Sequence, residues 1–127
     1  MQMSSMLLNP KLTGDIYSTS EVKTNRKWID GKPIYRKIIT ANSLPNNSTM
    51  SLSHGISNLG TIVDQKLRWY DTTDQRWFNY YRYDSTSVMV RTGGITTTSV
   101  ELVALGANWS TRTSNVSVIL EYTKTTD

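Results

Sequence analysis

The 127-residue chain has no cysteine and a single histidine, His54. The first absence excludes disulfides and thiolate chemistry, so stability must come from packing or from association of subunits. The second leaves little for a hydrolytic triad, which needs a serine, an orienting carboxylate and a histidine brought together. Long apolar runs are also missing. Met6-Leu7-Leu8 is the longest early one, and Asn9-Pro10 interrupts it. It is far shorter than a signal core or a membrane span of roughly 20 residues. The chain is therefore expected to be made without export and to engage no membrane. No amphipathic helical stretch and no repeat of solenoid length is present.

What the chain has is hydroxyls and rings. Ser and Thr are abundant, with Thr clustered at Thr96-Thr97-Thr98 and again from Thr123 to Thr126, and there are four Trp and seven Tyr against one Phe. Thr and Tyr suit a half-buried pleated surface better than a helix. The length fits a single domain, which at this size buries about two-thirds of the surface of its unfolded chain. The net charge is +4, and the basic excess lies mainly between Lys23 and Lys37. Such a cluster attracts phosphate backbones, but Lys on strand edges also discourages unwanted sheet pairing. No reader motif accompanies the charge, so nucleic acid is not an expected partner.

Along the chain, Asp30-Gly31 is a turn signal between extended segments. Residues 34–41 follow as a strand, with Pro33 at the position a strand tolerates. Residues 44–48 read as a loop. Met50, Leu52 and His54 alternate with Ser51 and Ser53 before Gly55. Residues 61–69 form the next strand, with Val63, Leu67 and Trp69 on one face and Ile62, Asp64, Lys66 and Arg68 on the other. Asp71 to Asp74 is a polar turn, and residues 77–83 read as one aromatic strand. Residues 85–92 come next, and Gly93-Gly94 turn the chain. Residues 100–105 and 116–122 are the last strands, with the polar stretch 107–115 between them. Seven or eight short strands with frequent turns predict an all-β fold, an antiparallel β-sandwich over residues 17–127. Residues 1–16 are expected to be an extended N-terminal arm. Met3, Met6, Leu7 and Leu8 are too apolar for a purely solvated tail and suit a docking arm, since Met adapts to irregular partner surfaces. The alternative is a frayed terminus.

Tyr17 to Glu21, then Thr24, then the run from Trp28-Ile29-Asp30-Gly31-Lys32-Pro33 to Lys37 form a pattern. It resembles the opening of a β-rich domain often found at the C-terminal end of phage and prophage tail proteins. Ser53-His54-Gly55-Ile56-Ser57-Asn58 resembles that domain's next signature, and Leu120-Glu121-Tyr122-Thr123-Lys124-Thr125-Thr126-Asp127 resembles its usual chain terminus. The resemblance spans residues 17–127. It implies a virion component of fibres, baseplates or receptor-binding tips, made in the host bacterial cytoplasm. It also implies other virion proteins as partners and a homo-oligomeric state. The module commonly closes a long protein, whereas about sixteen residues precede it here, which points to a short separate subunit such as a fibre tip or a head or tail ornament. The resemblance transfers no catalytic, cofactor-binding or metal-binding residue.

The residues themselves lead to the same place. His54 sits before Gly55 and is suited to bracing that turn. Asp64, Asp71, Asp74 and Asp84 lie in or beside polar turns, where Asp is expected anyway. A glycosidase needs two carboxylates roughly 5–10 Å apart across a cleft. A calcium site needs six to eight oxygens, far more than Asp71 and Asp74 supply. No enzyme, cofactor or metal is expected on these grounds. The stronger lead is aromatic: Trp69, Tyr70, Trp77, Phe78, Tyr80, Tyr81 and Tyr83 fall within fifteen residues. On one strand, Trp77, Asn79, Tyr81 and Tyr83 share a face while Phe78, Tyr80 and Arg82 share the other. One face can fill the core, and the second must meet a subunit, a loop or a ligand. Trp109, alone among polar residues, either tucks back onto the sheet or projects as an anchor. Trp69, Tyr70, Trp77, Tyr80, Tyr81, Arg82 and Trp109 are therefore the candidate partner or ligand contacts. The expectation is a virion structural protein working by subunit assembly and surface attachment. The alternative is a receptor-binding module for a host cell-surface saccharide.

Overall fold

The computed structural model describes residues 16–127, so the arm residues Met3, Met6, Leu7 and Leu8 lie outside the described residues. The strands are β1 (Val22–Lys27), β2 (Pro33–Ala41), β3 (Asn46–Ser53), β4 (Leu59–Asp71), β5 (Arg76–Asn79), β6 (Arg82–Ser85), β7 (Val88–Ile95), β8 (Ser99–Asn108) and β9 (Thr113–Lys124). They form two antiparallel sheets, ordered β1-β2-β9-β4-β5 and β3-β8-β7-β6. The expected all-β sandwich forms, with nine strands among the described residues rather than seven or eight.

Alternation fixes the core. Val116, Val118, Leu120 and Tyr122 of β9 are all buried, against Ile39 of β2 and Leu67 and Trp69 of β4. Val90, Val100, Leu102 and Ala104 meet them from the second sheet. Burying each large aliphatic side chain stabilises the fold by about 1.5–3 kcal/mol. The β2–β9 register runs unbroken from Tyr35↔Tyr122 to Ala41↔Val116. A slip of one residue there would turn the inward row of β9 to the outside, so the pattern specifies the pairing. The Asp30-Gly31 turn is present: Gly31 takes φ +85° and its N–H donates to the Trp28 carbonyl at 2.9 Å. β1 is an edge strand, and Lys23, Arg26 and Lys27 on it are exposed, as cations guarding an edge should be. Within the same basic segment, Arg26 and Arg36 both pair with Glu121, and Lys32 donates to the Lys124 carbonyl.

Departures from the simple pattern trace to bulges. On β4, Ile62 faces Tyr122 while Asp64 faces Glu121, so one residue of β4 is extra. The bulge inverts the side-chain parity, and Ile62, not Val63, packs on the core. Gly93-Gly94 do not turn the chain. They lie inside β7, where Thr92↔Leu102 and Ile95↔Val100 again leave one residue extra. A Cβ on Gly93 would meet the Glu101 side chain, with the Glu101 Cβ at 3.0 Å, so a larger residue there needs Glu101 to shift. The turn itself is at Thr96, whose N–H donates to the Ser99 carbonyl at 2.8 Å. The expected loop at 44–48 is shorter, because β3 begins at Asn46 and absorbs Asn47 at φ +46°. The polar stretch 107–115 reduces to a 3₁₀ turn, Trp109–Thr111, with β8 and β9 extending into both its ends.

The largest correction concerns residues 77–83, which are not one strand. β5 pairs with β4 in the first sheet and β6 pairs with β7 in the second. Tyr80 takes φ +73°, and its N–H donates to the Leu67 carbonyl. Positive φ ends the pleat, so face alternation cannot carry through Tyr80 and Tyr81. These two residues are the crossover that joins the sheets.

Candidate functional site: an aromatic seam and the cleft beside it

Breaking the aromatic segment distributes its rings unequally. Phe78 alone turns inward, stacked on Trp69 with centroids 5.1 Å apart and planes 14° apart. Trp77, Tyr80, Tyr81 and Tyr83 remain 56%, 50%, 64% and 58% exposed. They mark the seam where the chain passes from β5 to β6. Tyr70 is half-buried and meets Trp77 edge-to-face at 5.3 Å, the cross-strand pairing that Tyr70↔Trp77 register dictates.

Two of the candidate contact residues are not on the surface. Trp69 is fully buried. Trp109 is buried too: its indole N–H donates to the Leu105 carbonyl at 2.8 Å, so it tucks back onto the sheet. The guanidinium carbons of Arg112 and Arg82 lie 4.6 and 5.3 Å from its ring centroid. Arg82, also a candidate contact, is turned to this structural use. Its Nη1 donates to Asp71 at 3.1 Å and to Asp74 at 2.9 Å, and its Nε reaches Asp84 at 3.2 Å.

Asp71 organises the cluster. It is wholly buried, and its Oδ1 accepts the backbone N–H groups of Thr73 and Asp74, each at 2.9 Å. Its Oδ2 accepts Arg112 Nη2 at 2.9 Å. Burial by itself would raise the carboxyl pKa. The backbone N–H of Asp74, the Arg112 guanidinium and the backbone N–H of Thr73 outweigh that effect, and the pKa lies below the ordinary carboxylate value. His54 is buried in a comparable way. Its Nε2–H donates to the Thr96 carbonyl at 2.9 Å and its Nδ1 accepts the Ile56 N–H at 3.0 Å, which fixes a neutral tautomer and braces the turn at Gly55. At the far end of the sandwich, Tyr122 donates to Glu21 at 2.6 Å, and burial followed by that bond raises its pKa. Tyr35 is pushed up to about 12 by its hydrogen bond to Asp127 and then by burial. Among the described residues no group of three or more His, Asp or Glu side chains is placed to hold a metal ion, and no helix is long and apolar enough to cross a membrane.

Beside the seam lies a cleft of ≈ 1210 Å³, lined by residues of the first sheet and by β3 of the second. Its polar lining is Thr40, Asn42, Ser43, Arg68, Asn115 and Ser117, and Trp77, Met50 and Leu52 contribute apolar surface. A bulge in β9 shapes it. Arg68↔Ser117 and Tyr70↔Ser114 leave one residue of β9 extra, and Asn115 takes φ +54° there. Asn tolerates this conformation better than most residues. The β2–β9 pairing stops at Ala41↔Val116, next to that bulge, so the cleft opens where the ladder ends. Arg68 Nε donates to Asn79 Oδ1 at 3.0 Å, which orients the guanidinium. Among the candidate residues chosen from sequence, the structure brings Trp77 to this cleft, with Tyr70 packed against its ring and Tyr80 and Tyr81 on the adjoining crossover. Sequence reasoning missed its polar wall, because Thr40, Asn42, Asn115 and Ser117 come from strands and connections far apart in the chain. The one local sign was Ser114-Asn115, polar residues just ahead of the strict alternation of β9. Comparison of the chain with protein-family models, with curated proteins and with solved structures found no match.

Proposed function

We propose that the chain is a structural component of a bacteriophage particle, working by subunit assembly and surface attachment without catalysis. The observation that carries this reading is the seam. Trp77, Tyr80, Tyr81 and Tyr83 are large rings left half or more exposed on a sandwich that fills its core without them. Aromatics with a polar edge are enriched at protein interfaces, where their area is used at low entropic cost. The resemblance of residues 17–127 to phage tail modules supplies the setting: other virion proteins and further copies of the chain are the partners, and the virion is the location. The fastened state of the ionisable groups supports a non-catalytic role. His54 spends both ring nitrogens on the backbone, and Asp71 is saturated by arginines and amides. The test is incorporation into particles. Full-length chain and a Tyr81→Ser/Tyr83→Ser variant are supplied to particles assembled without the chain. The variant should remain in the supernatant while the parent sediments with the particles. Equal incorporation would remove the seam from the account.

A second reading is a receptor-binding module for a host cell-surface saccharide. It is favoured by one observation, the position of Trp77 at the lip of a cleft walled by amides and hydroxyls.

A further inference from the structure

We propose that the cleft beside Trp77 holds an oligosaccharide, with one sugar ring on the indole face and its hydroxyls bonded by Arg68, Asn115 and Asn42. The proposal rests on the saccharide reading above and specifies the site and the class of sugar. The indole is a fixed platform. Tyr70 packs edge-to-face against it at 5.3 Å, and the paired strands β4 and β5 hold both residues, yet more than half of the Trp77 surface remains open. Rings held this way bind flat apolar faces with little entropy to lose.

The wall opposite is chemically matched to sugar hydroxyls. Asn42 and Asn115 each offer donors and an acceptor, and Thr40, Ser43 and Ser117 can do either. Among the described residues the lining contains no carboxylate, and Arg68 is its one formal charge. A cationic ligand would have no counter-charge here. A neutral sugar is accommodated, and an acidic one gains a charge-assisted bond to a guanidinium already oriented by Asn79. The size points the same way. At ≈ 1210 Å³ the cleft exceeds the roughly 300–1,000 Å³ typical of pockets that enclose a small molecule. A chain of several rings laid along the cleft uses that volume, and a single small metabolite does not.

The test uses the intact chain, an array of neutral and uronate-bearing bacterial surface oligosaccharides, and tryptophan fluorescence. Trp69 and Trp109 are buried and Trp28 is half-buried, so fluorescence is read in a Trp28→Phe background, where a shift on binding reports chiefly on Trp77. Saturable binding of at least one array member is expected. Trp77→Ala should weaken it about tenfold or more, with Trp77→Tyr intermediate. Arg68→Gln should weaken every member that binds, and acidic members more than neutral ones, because only the acidic ones also lose a charge-assisted bond. Because both side chains are exposed, thermal melts of the variants should overlay the parent. Three outcomes would overturn the proposal: no binding to any array member, binding unaffected by Trp77→Ala, or a Trp77→Ala variant that merely changes oligomer mass in light scattering. In each of them, particle incorporation through the seam would still stand. Conversely, sugar binding through Trp77 with no incorporation into particles would leave the cleft and remove the virion reading.

Discussion

Replacing Asp71 with Ala should be far more damaging than the same change at Asp84, although both carboxylates bond Arg82. Asp84 has a half-exposed side chain and one arginine contact, the kind of surface pair worth about 0–1 kcal/mol. Asp71 is wholly buried and accepts two backbone N–H groups and two guanidinium groups. Its removal strips two arginines of a buried partner beside Trp109 and leaves Asp74 to serve both. Breaking a buried pair from one side costs about 3–5 kcal/mol. For a domain of this length that is a fall in Tm of roughly 12–20 °C. Urea unfolding at pH 7 measures the difference as a shift in midpoint at constant slope. The pH dependence supplies a second signature. The folded-state pKa of Asp71 is depressed, so its contribution is complete above the ordinary value of about 3.9 and disappears as pH falls through the folded value. The gap between parent and Asp71→Ala should therefore narrow on acidification from about pH 4 downward. Equal losses for the two variants, or a gap that does not change with pH, would refute the reasoning.

Gly106→Ala should cost about 2–4 kcal/mol, because φ is +89° and the new Cβ would lie 2.6 Å from the Ser87 carbonyl oxygen. Gly94→Ala meets nothing within 4 Å and should change the unfolding midpoint little. Trp109→Phe should be about 1 kcal/mol worse than Trp69→Phe, since the Trp109 N–H bonds Leu105 whereas the Trp69 N–H, equally buried, has no partner among the described residues; paired denaturation curves check this. His54→Ala removes two backbone bonds and buried volume, and a loss of about 2–4 kcal/mol is expected in the same assay.

Much of the sandwich was legible because half-buried strands write their burial into every second residue. The row Val116, Val118, Leu120, Tyr122 read inward and lies inward. The Asp30-Gly31 turn was legible for an equally local reason. Bulges were not, since an inserted residue at Val63 or Gly93 is defined by the partner strand, which the local sequence does not reveal. The aromatic segment misled because its composition is uniform from Trp77 to Tyr83, while the break at Tyr80 is set by a backbone bond to Leu67. Trp109 looked isolated only along the chain. Its partners, Arg82, Arg112 and Leu105, are assembled by the fold. The polar wall of the cleft is of the same kind, built from residues at 40–43, 68 and 115–117.

The central claim is that the exposed rings at the β5–β6 seam exist to make contact, and sedimentation with particles tests it directly. Particles lacking the chain are mixed with labelled parent protein or with the Tyr81→Ser/Tyr83→Ser variant, after thermal melts have shown that both are equally folded. The account predicts that the parent pellets with the particles and the variant does not. Equal pelleting of the two would contradict it.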